Sequence, residues 1–132
     1  MISFKEYYFI NENSLSPKEE IEIHDVGIYL AKVDTGNDAW CVLHGEDIKV
    51  DGDMVSFKTD KGESIQKPLV DKIIVNVGAG TEESRPIIEF DITLKGKKYN
   101  KVKFSIGDRK DNDEKVLLGL KFLNDINATV QC

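Results

Sequence analysis

Asp34, Thr35 and Gly36 are the residues of this chain whose types and spacing best suit chemistry. The apolar stretch Tyr29-Leu30-Ala31-Lys32-Val33 runs straight into Asp34, so a strand would deliver a carboxyl group to a turn that Gly36 allows to bend sharply. Hydrolysis of a peptide bond without a metal needs one carboxylate as base and a neighbouring carboxyl group as acid. Two carboxyl groups held ~3 Å apart cannot both ionise, so such a pair keeps one proton near neutral pH. The chain carries a single Asp-Thr-Gly, and a dyad would therefore need two chains meeting at a twofold axis. Asp and Gly are also good turn formers, so the tripeptide alone could be structural. Its context favours chemistry, because a second apolar element ending in glycine, Leu117-Leu118-Gly119, lies far downstream and precedes a short helix.

Other reactive types are sparse. His44-Gly45-Glu46-Asp47 sets one imidazole beside two carboxylates, yet His24 and His44 are the only histidines and no His-Glu-x-x-His pattern exists. His44 is expected to be solvent-exposed, with no metal. No Gly-rich phosphate loop occurs, so neither a nucleotide nor any other cofactor is expected. The acidic runs Glu82-Glu83 and Asp111-Asn112-Asp113-Glu114 read as solvated loop tips, with weak calcium binding as the alternative. Trp40, just past the Asp34 turn, could line a substrate cleft or sit as a half-buried core aromatic.

Stepping outward to the elements that would position these groups, strand signals dominate. Residues 2–10 are rich in aromatic and β-branched types, and 11–17 read as a turn or loop. Residues 21–34 read as one strand buried on both faces, with Val26, Ile28 and Leu30 on one side and Tyr29, Ala31 and Val33 on the other. Short strands follow near 54–59 and 64–77, joined by the hairpin-type stretch Asp60-Lys61-Gly62-Glu63. Residues 78–84 read as a flexible polar tip. Ile88, Phe90, Ile92 and Leu94 then alternate with Glu89, Asp91 and Thr93; after a turn at 95–98, Val102, Phe104 and Ile106 repeat the pattern, which is a hairpin with one buried face. Residues 116–118 read as a strand, 119–125 as a helix with Leu120 and Leu123 toward the core, and 128–132 as a strand again. The expected fold is a single all-β domain over 1–132 with one short helix near its end.

The bulk properties fit that expectation. With 132 residues, 40% of them hydrophobic and 32% charged, the chain can bury a core without staples. Its longest apolar run is too short to span a bilayer, and its first residues lack a basic start followed by an apolar stretch, so no membrane or secretory role is expected. The two cysteines, Cys41 and Cys132, suggest no disulfide framework, which favours a reducing, cytoplasmic setting. A net charge of −6, with lysines and acids interspersed, argues against nucleic acid as a partner. The basic cluster from Lys95 to Lys103 is interrupted by Gly96, Tyr99 and Asn100 and reads as a solvated hairpin.

On these residues the chain resembles the retropepsins over nearly its whole length. The stretch Val116-Leu117-Leu118-Gly119-Leu120-Lys121-Phe122-Leu123 looks like the strand and helix that close those proteases, and 86–106 looks like the hairpin after their flap. A nearer resemblance is to a bacterial and phage family that goes by the name of ATP-dependent zinc protease. It rests on Lys32-Val33-Asp34-Thr35-Gly36, Leu43-His44, Pro68-Leu69-Val70, Arg85-Pro86, Asp108-Arg109 and Leu117-Leu118-Gly119. The resemblance implies a retropepsin-like barrel acting as a homodimeric aspartic peptidase on a peptide or protein substrate. Asp34 would be catalytic, with Thr35, Gly36 and Gly119 supporting its loop. The residues from Val77 to Gly80 would form a flap, making Asp38, Trp40, Gly78 and Gly80 candidate substrate contacts. Two departures stand out. Leu120 occupies the position where retropepsins carry an Arg that pairs with an acid after the catalytic turn, so Asp38 would need Arg109 or Arg85 as its cation. The family's His falls one position later here, at His44. The alternatives are a non-catalytic module of the same fold that binds or assembles (a phage structural protein, or an accessory to a peptide-ligating enzyme) and, less favoured, a zinc hydrolase using His44.

Overall fold

A computed structural model describes residues 14–130; the strand expected over 2–10 lies outside the described residues, as does Cys132. Twelve strands and one helix are described: β1 (Ser14–Leu15), β2 (Lys18–Ile23), β3 (Gly27–Asp34), β4 (Cys41–His44), β5 (Glu46–Asp51), β6 (Met54–Lys58), β7 (Ser64–Pro68), β8 (Asp71–Gly78), β9 (Thr81–Leu94), β10 (Lys97–Gly107), β11 (Val116–Gly119), α1 (Leu120–Asp125) and β12 (Thr129–Val130). Seven strands form one sheet in the order β10-β4-β11-β3-β2-β9-β8, and β9 also pairs with β10. Six strands thus close into a ring, and β8 extends beyond it on the outer part of β9. The domain is all-β with one short helix near its end, as the alternation in the sequence requires.

The strongest alternation builds the centre. In β9, Ile88, Phe90, Ile92 and Leu94 are at most 2% exposed, and Val102, Phe104 and Ile106 of β10 face them. Phe90 and Phe104 meet edge to face at 5.8 Å between ring centres. Burying each such side chain stabilises the fold by roughly 1.5–3 kcal/mol, so this hairpin supplies a large share of the core.

The region from 21 to 34 corrects the sequence reading. It is two antiparallel strands, β2 and β3, folded back at a turn where the Val26 amide donates to the Ile23 carbonyl (3.0 Å) and Asp25 takes a left-handed φ of 72°. Only one face is buried: Tyr29, Ala31 and Val33 point inward, while Ile28 and Leu30 are 55% and 56% exposed. Val26 is buried from within the turn and does not continue the Ile28–Leu30 face.

Four further segments differ from expectation. Residues 64–77 are two strands, β7 and β8, separated by Leu69 and Val70. The tip expected over 78–84 narrows to Ala79 and Gly80, with Thr81 to Ser84 paired in the ladder between β8 and β9. Ser14 and Leu15, expected in a turn, pair in parallel with Thr129 and Val130. Residues 41–51 carry two strands that no sequence signal marked: all four residues of β4 are buried and show no alternation, while β5 is exposed along nearly its whole length. Strands β5, β6 and β7 form a separate three-stranded sheet whose Val55, Phe57 and Ile65 join the core. It folds closely over the barrel at Gly45, where a Cβ would run into Ile106 and Phe57.

Candidate functional site

Asp34 ends β3 beside Gly119, which ends β11 in parallel register with it. Strand β11 runs between β3 and β4, two strands that are adjacent in sequence. The chain leaving Asp34 must therefore cross over the end of β11 to reach β4. Gly119 makes that crossing possible, because any Cβ there would overlap the carbonyl oxygens of Trp40 and Ala39. The loop is then fastened to the helix. The Leu120 amide donates to the Asn37 carbonyl (2.7 Å) and the Lys121 amide to the Ala39 carbonyl (3.1 Å). α1 has no side-chain cap, so loop carbonyls satisfy amides that its first turn would leave unpaired.

Within the loop, the Asp34 carboxylate accepts the Gly36 amide at 3.1 Å, the Asp34 carbonyl accepts the Asn37 amide at 3.2 Å, and the Asn37 side-chain oxygen accepts the Ala39 amide at 3.0 Å. Asp34 is half-buried, while Thr35, Gly36 and Asp38 are exposed. Trp40 is half-buried against the core, with the Lys103 ammonium 5.1 Å and the Lys121 ammonium 5.9 Å from its ring centre. Of the two sequence alternatives for Trp40, the half-buried core aromatic is the one seen. Those lysines leave its remaining face polar.

The two arginines do not pair with Asp38. Arg85 reaches back to Glu83, 3.3 Å away on its own strand. The Arg109 Nε donates to the Glu114 carbonyl at 3.0 Å. Arg109 has its basicity lowered first by burial and then by the Arg85 charge, while Glu114 and Asp34 act in the opposite sense. Arg109 thus feels the Glu114, Arg85 and Asp34 charges together. Asp38 faces solvent, which removes the need for a buried counter-ion at the position that Leu120 leaves uncharged.

His44 is the clearest correction: it is 2% exposed, not solvent-facing. It closes β4 opposite Gly107, and its Nδ1 accepts the Arg109 backbone amide at 2.7 Å. The ring proton therefore sits on Nε2, 3.8 Å from Glu46, while Asp108 lies 3.7 Å from Nδ1. The residues do not fit the zinc of the family name. The Nδ1 lone pair of His44 is already engaged, His24 sits in the β2–β3 turn against the Thr93 hydroxyl, and among the described residues no three His, Cys, Asp or Glu side chains converge. Cys41 is fully buried and its thiol is pushed up to about 12 by desolvation, which keeps it protonated and inert.

The acidic loop before β11 is organised by a residue that the sequence reading passed over. The Lys115 ammonium donates to the carbonyls of Arg109 (3.0 Å), Lys110 (3.0 Å) and Asn112 (2.8 Å), so the loop's inward oxygens are filled by its own cation. Glu114 turns outward to Lys18 at 2.9 Å. The signal was a lysine directly after an acidic run, which is compatible with many arrangements. Gly78 and Gly80 sit at the tip of the β8–β9 hairpin, and nothing approaches the space a Cβ would take at either. Ile74 and Val77 of that hairpin are 66% and 48% exposed. A recess of about 230 Å³ lined by His24, Lys67, Glu89 and Asp91 involves none of these residues.

No family model matches the chain, and no curated protein matches it. Its fold is similar to that of a crystal structure of a protein of unknown function (DUF785) from Legionella pneumophila subsp. pneumophila str. Philadelphia 1, with a TM-score of 0.72. The two are 24% identical, over 89% of this chain and 92% of that one, a likeness that speaks for the fold alone. No helix among the described residues is long and apolar enough to cross a membrane.

Proposed function

We propose that the chain is one half of a retropepsin-like aspartic peptidase, in which Asp34 from each of two copies meets its counterpart across a twofold axis. The reading is carried by the crossing at Gly119: a loop bearing a half-buried carboxyl group is held between a strand end that tolerates no side chain and a helix whose first amides it caps. Such fastening suits a carboxyl group that must keep its position while its protonation changes. In the dimer, one carboxylate takes a proton from water as the water attacks the scissile carbonyl, and the partner carboxyl group donates its proton to the carbonyl oxygen. Return of a proton to the amide nitrogen then releases the amine. The exposed Thr35 braces the two loops against each other. The β8–β9 hairpin, whose Ile74 and Val77 are solvated in the single chain, closes over an extended peptide bound as a strand. No nucleic acid, membrane or cofactor takes part in this scheme.

The deciding experiment replaces Asp34 by Asn, which is nearly isosteric and removes the like-charge repulsion of a dyad. Asp34→Asn should abolish cleavage of a broad peptide library at every pH while leaving fold and dimer intact. Cleavage that survives the substitution would sink the aspartic mechanism.

A second reading, a non-catalytic binding or assembly module of the same fold, is favoured by one observation. The terminal strand β12, which in the retropepsin pattern pairs across the dimer axis, is paired here with β1 of its own chain. No cleavage by the native chain, with a dimer present, would select this reading.

A further inference from the structure

We propose that His44 is a positioning residue: its Nδ1 holds the Arg109 backbone amide and, through it, the loop from Asp108 to Lys115 that bears the Arg109 guanidinium. The inference rests on the aspartic reading of Asp34 for its functional consequence, but not for its geometry.

The loop from Asp108 to Lys115 joins β10 to β11 and, besides the ion pair of Glu114 with Lys18 of β2 (2.9 Å), is fastened by side chains at three points. Two are internal: the Lys115 ammonium on three carbonyls, and the Arg109 Nε on the Glu114 carbonyl. These set the loop's shape but not where it sits on the barrel. The third is His44, which belongs to β4 and reaches the loop from outside, across 65 positions of sequence. Its backbone joins the same junction, since the His44 amide donates to the Lys115 carbonyl (2.8 Å) and the neighbouring Gly45 amide to the Gly107 carbonyl (3.0 Å). Both ends of the loop are thus tied to the end of β4, and the imidazole adds the one side-chain contact from β4 to Arg109. Arg85 lies across Gly107 at the loop's start, where a Cβ would run into its guanidinium. A loop that slipped would therefore move Arg109 relative to Arg85, and with it the charge that Asp34 feels.

A buried histidine can be a core residue and nothing more. The chemistry here is narrower than that, because the contact needs an acceptor at the δ position. Nδ1 must carry a lone pair, with the ring proton on Nε2 toward Glu46; protonation at Nδ1 would oppose one N–H with another. Asp108 at 3.7 Å and Glu46 at 3.8 Å are the charged groups that face the ring, and the Arg109 amide is the donor that fixes its tautomer.

Asparagine places its side-chain oxygen at the same δ position, glutamine places it one bond further, and leucine offers no acceptor. The experiment compares His44→Asn, His44→Gln and His44→Leu in the full chain. The first readout is hydrogen exchange of the Arg109 amide and its Nε–H by NMR, which needs no turnover. Native chain and His44→Asn should protect both groups, whereas Gln and Leu should exchange them about fivefold faster or more, as loss of one net hydrogen bond implies. The second readout is kcat/KM for one cleaved peptide, with each substitution also made on Arg109→Ala. His44→Leu should lower kcat/KM by about tenfold in the native background, the scale of a small misplacement at a reacting centre. It should add no further loss on Arg109→Ala, since the two then act as one unit. An equal loss in both backgrounds, or an Asn variant as impaired as the Leu variant, would overturn the proposal. If His44→Leu fails to fold, the Asn–Gln pair makes the same comparison. A native chain without peptidase activity would sink the Asp34 reading alone. The exchange data would still decide the positioning, and equal exchange in all four proteins would refute it.

Discussion

Gly119 shows how far one residue can determine a site. Its φ of −85° is open to any residue, so backbone conformation is not what demands glycine. The demand is steric: the carbonyls of Ala39 and Trp40 occupy the place of a Cβ. Gly119→Ala should therefore lower stability by ~2–3 kcal/mol, the usual cost of overpacking, in urea titrations of a chain whose Asp34 loop is displaced. A variant within ~0.5 kcal/mol of the native chain, the range of ordinary surface changes, would mean that the crossing is loose. Electrostatics at single residues makes a second prediction. The Lys18 ammonium, hydrogen-bonded to Glu114, holds that carboxyl below its usual range and raises the lysine in turn. A depressed carboxyl group contributes stability above its unfolded pKa of about 4.3 and loses it as pH falls through the lower folded value. Glu114→Gln should flatten the fall of the denaturation midpoint in that acid window and change its slope little near neutrality. The pair is solvated, so the effect should also shrink in high salt.

Among the elements, the β8–β9 hairpin has a turn whose sequence and conformation disagree. Its two-residue turn places both Ala79 (φ 51°) and Gly80 (φ 74°) in the left-handed region, the geometry that matches the twist of the flanking strands. Glycine adopts it freely and alanine does not. Ala79→Asn should stabilise the hairpin by ~0.5–1 kcal/mol, part of the 1–2 kcal/mol that an ordinary residue loses there. Slower amide exchange across Ile73 to Val77 would report it, and unchanged exchange would place the turn's stability elsewhere. The same substitution tests the flap role. If closure over a peptide needs the hairpin to bend, a stiffer turn should raise KM without lowering the melting temperature of the barrel.

For the molecule as a whole, the open question of function is one of assembly. A single chain brings one half-buried Asp34 and one exposed Thr35 to its surface, and the tip of the β8–β9 hairpin leaves open space at Gly78 and Gly80. Light scattering at high concentration should find a dimer, and removal of residues 128–132 should weaken it. A particle that stays strictly monomeric would count against two-chain catalysis. Because Thr129 and Val130 also pair with Ser14 and Leu15 in their own chain, the truncated protein must be melted alongside the native one, so that lost folding is not read as lost association.

The hairpin at the barrel's centre was legible in the residue pattern, as were the two segments that flank Asp34. Strict alternation across 88–106 could satisfy a buried face only as a hairpin, and the strand end at Asp34 and the downstream Leu117-Leu118-Gly119 marked the two segments that the fold sets side by side. What alternation could not say is which face of 21–34 is covered, because period-two patterning separates the faces without naming their neighbours. It was silent for β4, where burial of every residue erases the period. The burial of His44, its hold on Arg109 and the turning of both arginines away from Asp38 were decided only by tertiary structure. Each depends on a partner brought close by the ordering of strands around the ring, and a hydrogen bond across 65 positions leaves no local trace in composition or spacing.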